Sequence, residues 1–143
     1  MSKIKLIFLS FILIVSFSTC KNQSPVPEVY VNFIIYLDWP TLLPLSPVGG
    51  SVYIPNEGNK GIIVTQHNYK EYSAYDATCT FDPQHEWGRV QIESSTVFAK
   101  DTVCGSQFSL VLNGSVTQGP AGISLKEYTV DYNPNEGSLH IHN

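Results

Sequence analysis

Apolar and polar positions alternate along most of the chain with the period of two that a β-strand requires, and no amphipathic helix of useful length is visible. Val29, Val31, Phe33 and Ile35 alternate with Tyr30, Asn32, Ile34 and Tyr36, which predicts a strand apolar on both faces. A long Pro/Gly loop runs from Asp38-Trp39-Pro40 to Gly49-Gly50. Ser51-Val52-Tyr53-Ile54 then reads as a short strand, closed by Pro55-Asn56-Glu57-Gly58. Gly61-Ile62-Ile63-Val64-Thr65-Gln66 is the β-branched run of a buried strand. Tyr69, Tyr72 and Tyr75 stand three apart and could share a helical turn or serve as core and rim aromatics. Residues 89–93 and 96–100 flank Ser94-Ser95 like the arms of a hairpin. Residues 107–112, 126–132 and 138–142 complete the strands, separated by Asn113-Gly114 and by Asn133-Pro134-Asn135-Glu136-Gly137.

The first residues break this pattern. Lys3 and Lys5 precede an apolar run that ends at Ser18-Thr19-Cys20. The uncharged stretch is shorter than the ~20 residues that span a bilayer as a helix, so it reads as a signal peptide. The cysteine at its end resembles a bacterial lipobox, with Phe17 in place of the usual Leu and Thr19 in place of Gly or Ala. That resemblance implies cleavage after residue 19, acylation of Cys20 and a lipid-anchored location in the bacterial envelope, outside the cytoplasm. Residues 20–28 follow as an acylated cysteine and a polar, Pro-stiffened tether with no fold of its own. Residues 29–143 form one β domain.

Composition narrows the function. The chain has 143 residues, 43% hydrophobic and 14% charged, with a net charge of −4. Such a chain can bury a core, and it lacks the basic surface that nucleic-acid binding needs. Of the three cysteines, Cys20 is the expected acylation site, which leaves Cys79 and Cys104 for the domain.

The residues around Cys104 carry a family resemblance. Gly105-Ser106-Gln107-Phe108, then Gly114, then Gly119-Pro120-Ala121, resembles the second half of a Rieske iron–sulfur domain, whose cluster loop runs C-x-x-H-G-S-x-F ahead of a Gly turn and G-P-A. Tyr75-Asp76-Ala77-Thr78-Cys79 is similar to the approach to that family's first loop, C-x-H. The resemblance implies an all-β, antiparallel sandwich with a small former cluster-binding subdomain, here about residues 76–110. It also implies tight turns at Gly105 and Gly119.

The ligand positions depart from the family. A Rieske [2Fe–2S] centre takes two thiolates on one iron and two imidazoles on the other. At the matching positions this chain has Cys79, Phe81, Asp101 and Cys104, so one of the four is the family's type in place. Phe81 has no lone pair to offer a metal. Sliding the second loop to set Cys104 on the Cys position spoils the G-S-x-F match and still leaves both imidazoles missing. We therefore expect no cofactor and no catalytic site. Because the family's two loops converge, the resemblance implies that Cys79 and Cys104 lie close together and form a disulfide, with Asp101 satisfying backbone N–H groups nearby.

Other chemistry is sparser. Cys79, His85, Asp101 and Cys104 could together hold zinc, or an altered [2Fe–2S] cluster in a redox carrier. His140 and His142 alternate on the last strand and face the same way, an arrangement open to a surface metal. His67, read as part of a strand-end loop, carries no signal. No G-x-S-x-G, H-E-x-x-H or phosphate-binding glycine loop occurs. The expectation is a membrane-anchored lipoprotein, not an enzyme, that binds or assembles with an envelope partner. The alternative is an electron-transfer protein with altered ligands.

Overall fold

A strand that must be apolar on both faces needs a layer on each side, and the molecule is organised around one such strand. In the computed structural model, which describes residues 24–143, ten strands form two antiparallel sheets. The larger has the order β1 (Asn32–Tyr36), β10 (Ser138–His142), β9 (Glu127–Asn133), β4 (Glu71–Asp76), β3 (Ile62–Asn68), β2 (Ser51–Ile54). The smaller runs β5 (Val90–Ile92), β6 (Phe98–Asp101), β7 (Gln107–Ser109), β8 (Ser115–Gln118).

The larger sheet curls into a half-barrel. Ile62 and Val64 of β3 point into its hollow, where they join Val31, Ile35, Val52, Ala74, Leu139 and Ile141. Alternation sends Ile63 the other way, onto Tyr75, Val90, Ala99, Phe108 and Leu110 beneath the small sheet. The β-branched run is buried, as its composition led us to expect, and it forms the shared wall of two cores.

Several elements differ from the expectations drawn from sequence. The long Pro/Gly loop contains a 3₁₀ helix, Pro40–Leu45, that buries Leu42 and Leu45 in the half-barrel. The three tyrosines do not share a helical turn: Tyr69 is exposed, whereas Tyr72 and Tyr75 lie on β4 and Tyr75 is buried. The β5–β6 connection is longer than Ser94-Ser95, since β5 ends at Ile92 and β6 begins at Phe98, with Thr96 at φ 62°. The small sheet takes in β8, beyond the 76–110 span expected of the subdomain.

The tether also differs where it is described. Val26 is 2% exposed, and Lys126 Nζ lies 2.8 Å from Glu28 Oε2 and 3.2 Å from the Pro27 carbonyl. Residues 24–28 are irregular, but an apolar side chain and a half-covered ion pair seat them against the domain. The leader and Cys20 lie outside the described residues. No helix among the described residues is long and apolar enough to cross a membrane.

Candidate functional site

Two loops at one end of the small sheet meet at the domain's two cysteines. The first joins β4 to β5. It leaves β4 at Asp76, a fully buried carboxylate. Its oxygens accept from the backbone N–H of Asn59 (2.7 Å) and of Thr78 (2.8 Å), from the Thr78 hydroxyl and from the Tyr128 hydroxyl (2.8 Å). Burial and then the adjacent Asp76 charge raise the Tyr128 hydroxyl far above its ordinary value, so it remains a donor. The loop closes as a β-bridge between Thr78 and Arg89, and the Cys79 N–H donates to the Gly88 carbonyl at 3.0 Å. These bonds fix Cys79, which is fully buried, at the base of the loop.

The second loop joins β6 to β7. Asp101, the last residue of β6, donates its N–H to the Ser106 carbonyl (2.9 Å) and accepts the Gly105 N–H on its own carbonyl (2.8 Å). The turn places Gly105 at φ 79°, and a Cβ added there would meet no heavy atom within 4 Å, so the dihedral rather than space favours glycine. Gly119 lies at a bend without positive φ and without a close backbone neighbour; it precedes a cis Pro120.

The loops bring Cys79 Sγ and Cys104 Sγ to 3.5 Å. Both are thiols in this structure. The Cys104 thiol also lies 3.3 Å from Asp101 Oδ2 and 3.0 Å from Ser106 Oγ, and its one proton can serve one of them at a time. Asp101 additionally accepts the Val103 N–H at 2.7 Å, in keeping with its expected part in the turn. Burial, followed by the hydrogen bond with Asp101, pushes the Cys79 thiol up to about 12. Burial alone would raise Asp101, but hydrogen bonds from the Cys79 thiol, the Val103 N–H and Cys104 outweigh it and hold the carboxyl below its usual range. Cys79 is therefore a neutral thiol at physiological pH beside an ionised carboxylate.

Ser106 ties the G-S-x-F and G-P-A motifs together, a role the sequence did not announce. Fully buried, it accepts the Ala121 N–H on Oγ at 2.9 Å, so the two motifs are joined directly. Phe108 fills the core beneath.

Sγ of Cys79, Sγ of Cys104 and a carboxylate oxygen of Asp101 all lie within 4.8 Å of one another, a set open to a metal ion. His85 is not part of it. That side chain is exposed on the outer turn, where its Nδ1 faces the Trp87 N–H at 3.2 Å and its carbonyl holds Lys60 Nζ. The four-residue zinc alternative is thereby reduced to three residues. Phe81 is 53% exposed.

Elsewhere, His67 lies on β3 between Ser73 Oγ (3.2 Å) and Glu71 (3.5 Å). His140 and His142 are joined by Asp131 of β9, which sequence spacing alone did not bring in. No protein-family model matches this chain, and no curated protein matches it in sequence.

Proposed function

We propose that this chain is a lipid-anchored bacterial envelope protein whose Rieske-like domain carries no iron–sulfur cluster and serves in binding or assembly, with Cys79 and Cys104 joined as a disulfide. One observation carries the reading. The two loops converge on two thiols and a carboxylate, with no imidazole among them. A Rieske cluster needs two neutral imidazoles on one iron, so these side chains do not fit it. The family likeness is supported by the division into a large base and a small sheet bearing both loops, and by the Ser106–Ala121 contact between the motifs.

Without a metal, burial keeps the Cys79 thiol protonated beside the half-buried Cys104. A disulfide is neutral and needs the sulfurs to close from 3.5 Å to roughly 2.05 Å. Its formation releases two protons and passes two electrons to the thiol oxidants of an exported compartment. Bridging residues 25 apart contributes about 3–4 kcal/mol on the loop-entropy account. On the same two loops, Trp87 (72% exposed) and Val103 (50% exposed) line one open cleft, which favours docking of a partner protein over turnover of a small substrate.

A second reading is favoured by the same three side chains: a redox or zinc protein using Cys79, Asp101 and Cys104. Metal and acid-labile sulfide analysis of the protein isolated from membranes separates the two. Colourless protein without stoichiometric iron or sulfide, and without zinc held by the cysteines, is expected. Brown protein with visible absorption overturns the cluster-free reading, and one tightly held zinc that is lost in Cys79→Ser but kept in His142→Ala supports the second. Cys20→Ala is expected to release or stall the protein; full membrane retention with an unmodified N-terminus would contradict the anchor.

A further inference from the structure

A second cluster of metal-ligating side chains stands on the larger sheet, apart from the thiol pair. His140 and His142 are two residues apart on β10 and so share a face, with ring centroids 4.7 Å apart. The β10–β9 register sets His140 opposite Asp131, and Asp131 Oδ2 reaches His142 Nε2 at 3.0 Å. One ligand atom from each of Asp131, His140 and His142 lies within 4.8 Å of the other two. From the other side, Asn32 Oδ1 of β1 lies 2.6 Å from His140 Nε2.

We propose that Asp131, His140 and His142 form a surface binding site for a divalent transition-metal ion of the zinc or copper type. Three observations support it. The donor set is two imidazole nitrogens and one carboxylate oxygen, which suits these borderline ions better than calcium or magnesium. His142 Nδ1 is 2.8 Å from the Asn143 carbonyl, an acceptor that holds a proton on Nδ1 and presents Nε2 on the Asp131 side. Such a carbonyl behind a ligating ring is the usual way a protein fixes the tautomer and angle of a metal-binding histidine. Finally, strand pairing rather than a flexible loop positions the three residues, since β9, β10 and β1 are neighbours in one sheet.

The ion would take the place between His142 Nε2 and Asp131, displacing any proton they share, and bridge to the His140 ring. Half-exposed histidines and an exposed carboxylate leave water to complete the coordination shell. Nothing in this site depends on Cys79 or Cys104, so the proposal stands apart from the function proposed above.

The test is copper binding by the full chain in detergent, read by electron paramagnetic resonance, with zinc competition measured against a chromogenic chelator. The expected spectrum shows one equivalent of Cu²⁺ with hyperfine coupling to two imidazole nitrogens, displaced by Zn²⁺. The thiol cluster contains no imidazole, so this signature cannot arise there. His140→Ala and His142→Ala should each abolish the two-nitrogen pattern, and Asp131→Asn should weaken binding on the order of tenfold or more. Because these side chains are exposed or half-exposed, circular dichroism of each variant should match the parent. An unchanged spectrum in His142→Ala, or the absence of a two-nitrogen spectrum in the parent, overturns the proposal.

Discussion

Asp76 shows what a single buried carboxylate does for the thiol site. It holds the Asn59 N–H, the Thr78 N–H and hydroxyl, and the Tyr128 hydroxyl, and so joins the start of the Cys79 loop to a preceding turn and to β9. Asp76→Ala leaves several of these donors buried without an acceptor and should lower stability by about 3–5 kcal/mol, read as a shift in the urea midpoint. A loss below about 1 kcal/mol would mean water replaces the carboxylate there. Cys79 supplies a pH test. Its thiol is raised from 9.0 to about 12 in the folded chain, so between those values the unfolded chain gives up a proton that the folded chain keeps. Stability of the reduced protein should therefore fall as pH rises through that window. Asp101 acts oppositely: its lowered carboxyl contributes at neutral pH, and that contribution is lost as acid protonates it. Oxidation to the disulfide removes the Cys79 proton altogether. Urea midpoints between neutral and alkaline pH should decline more steeply with reductant than without it, and equal slopes would contradict a titrating buried thiol.

Among the elements, residues 24–28 behave as a strap rather than a free tether. Val26→Ala removes about two buried carbons and should cost about 1.5 kcal/mol at roughly 0.8 kcal/mol each. Limited proteolysis should then cut this segment faster in the variant than in the parent; equal rates would mean that the strap adds nothing. The segment's docking was not legible, because Pro25-Val26-Pro27 has one apolar side chain and its partner lies about a hundred residues away. β3 was legible, since a run of β-branched residues has few places to go except between two layers. β8 was not: Ser115-Val116-Thr117-Gln118 offers only Val116 to the core, and pairing with Phe108 makes it a strand. The site divides in the same way. The motif resemblance singled out Cys79, Asp101 and Cys104. Asp131 became visible only once the β9–β10 register was known, and His85 drops out because its turn faces solvent.

At the scale of the whole molecule, one sheet curls around its own core and lends its outer face to a second, smaller sheet. The loops bearing Cys79 and Cys104 lead into that smaller sheet, at β5 and at β7. Ile63, Tyr75 and Phe108 fill the second core together with Ala77 and Cys79 of the first loop, so the thiol pair is seated against packed side chains. The central claim is that the two sulfurs, 3.5 Å apart here, are covalently joined in the protein as the cell holds it. Mass spectrometry of the unreduced chain, alkylated under acid-quenched denaturing conditions straight from the envelope, tests it most directly. We predict a mass two hydrogen atoms below that of the fully reduced chain and a cross-linked peptide pair containing Cys79 and Cys104. Alkylation of both cysteines without prior reduction would contradict it.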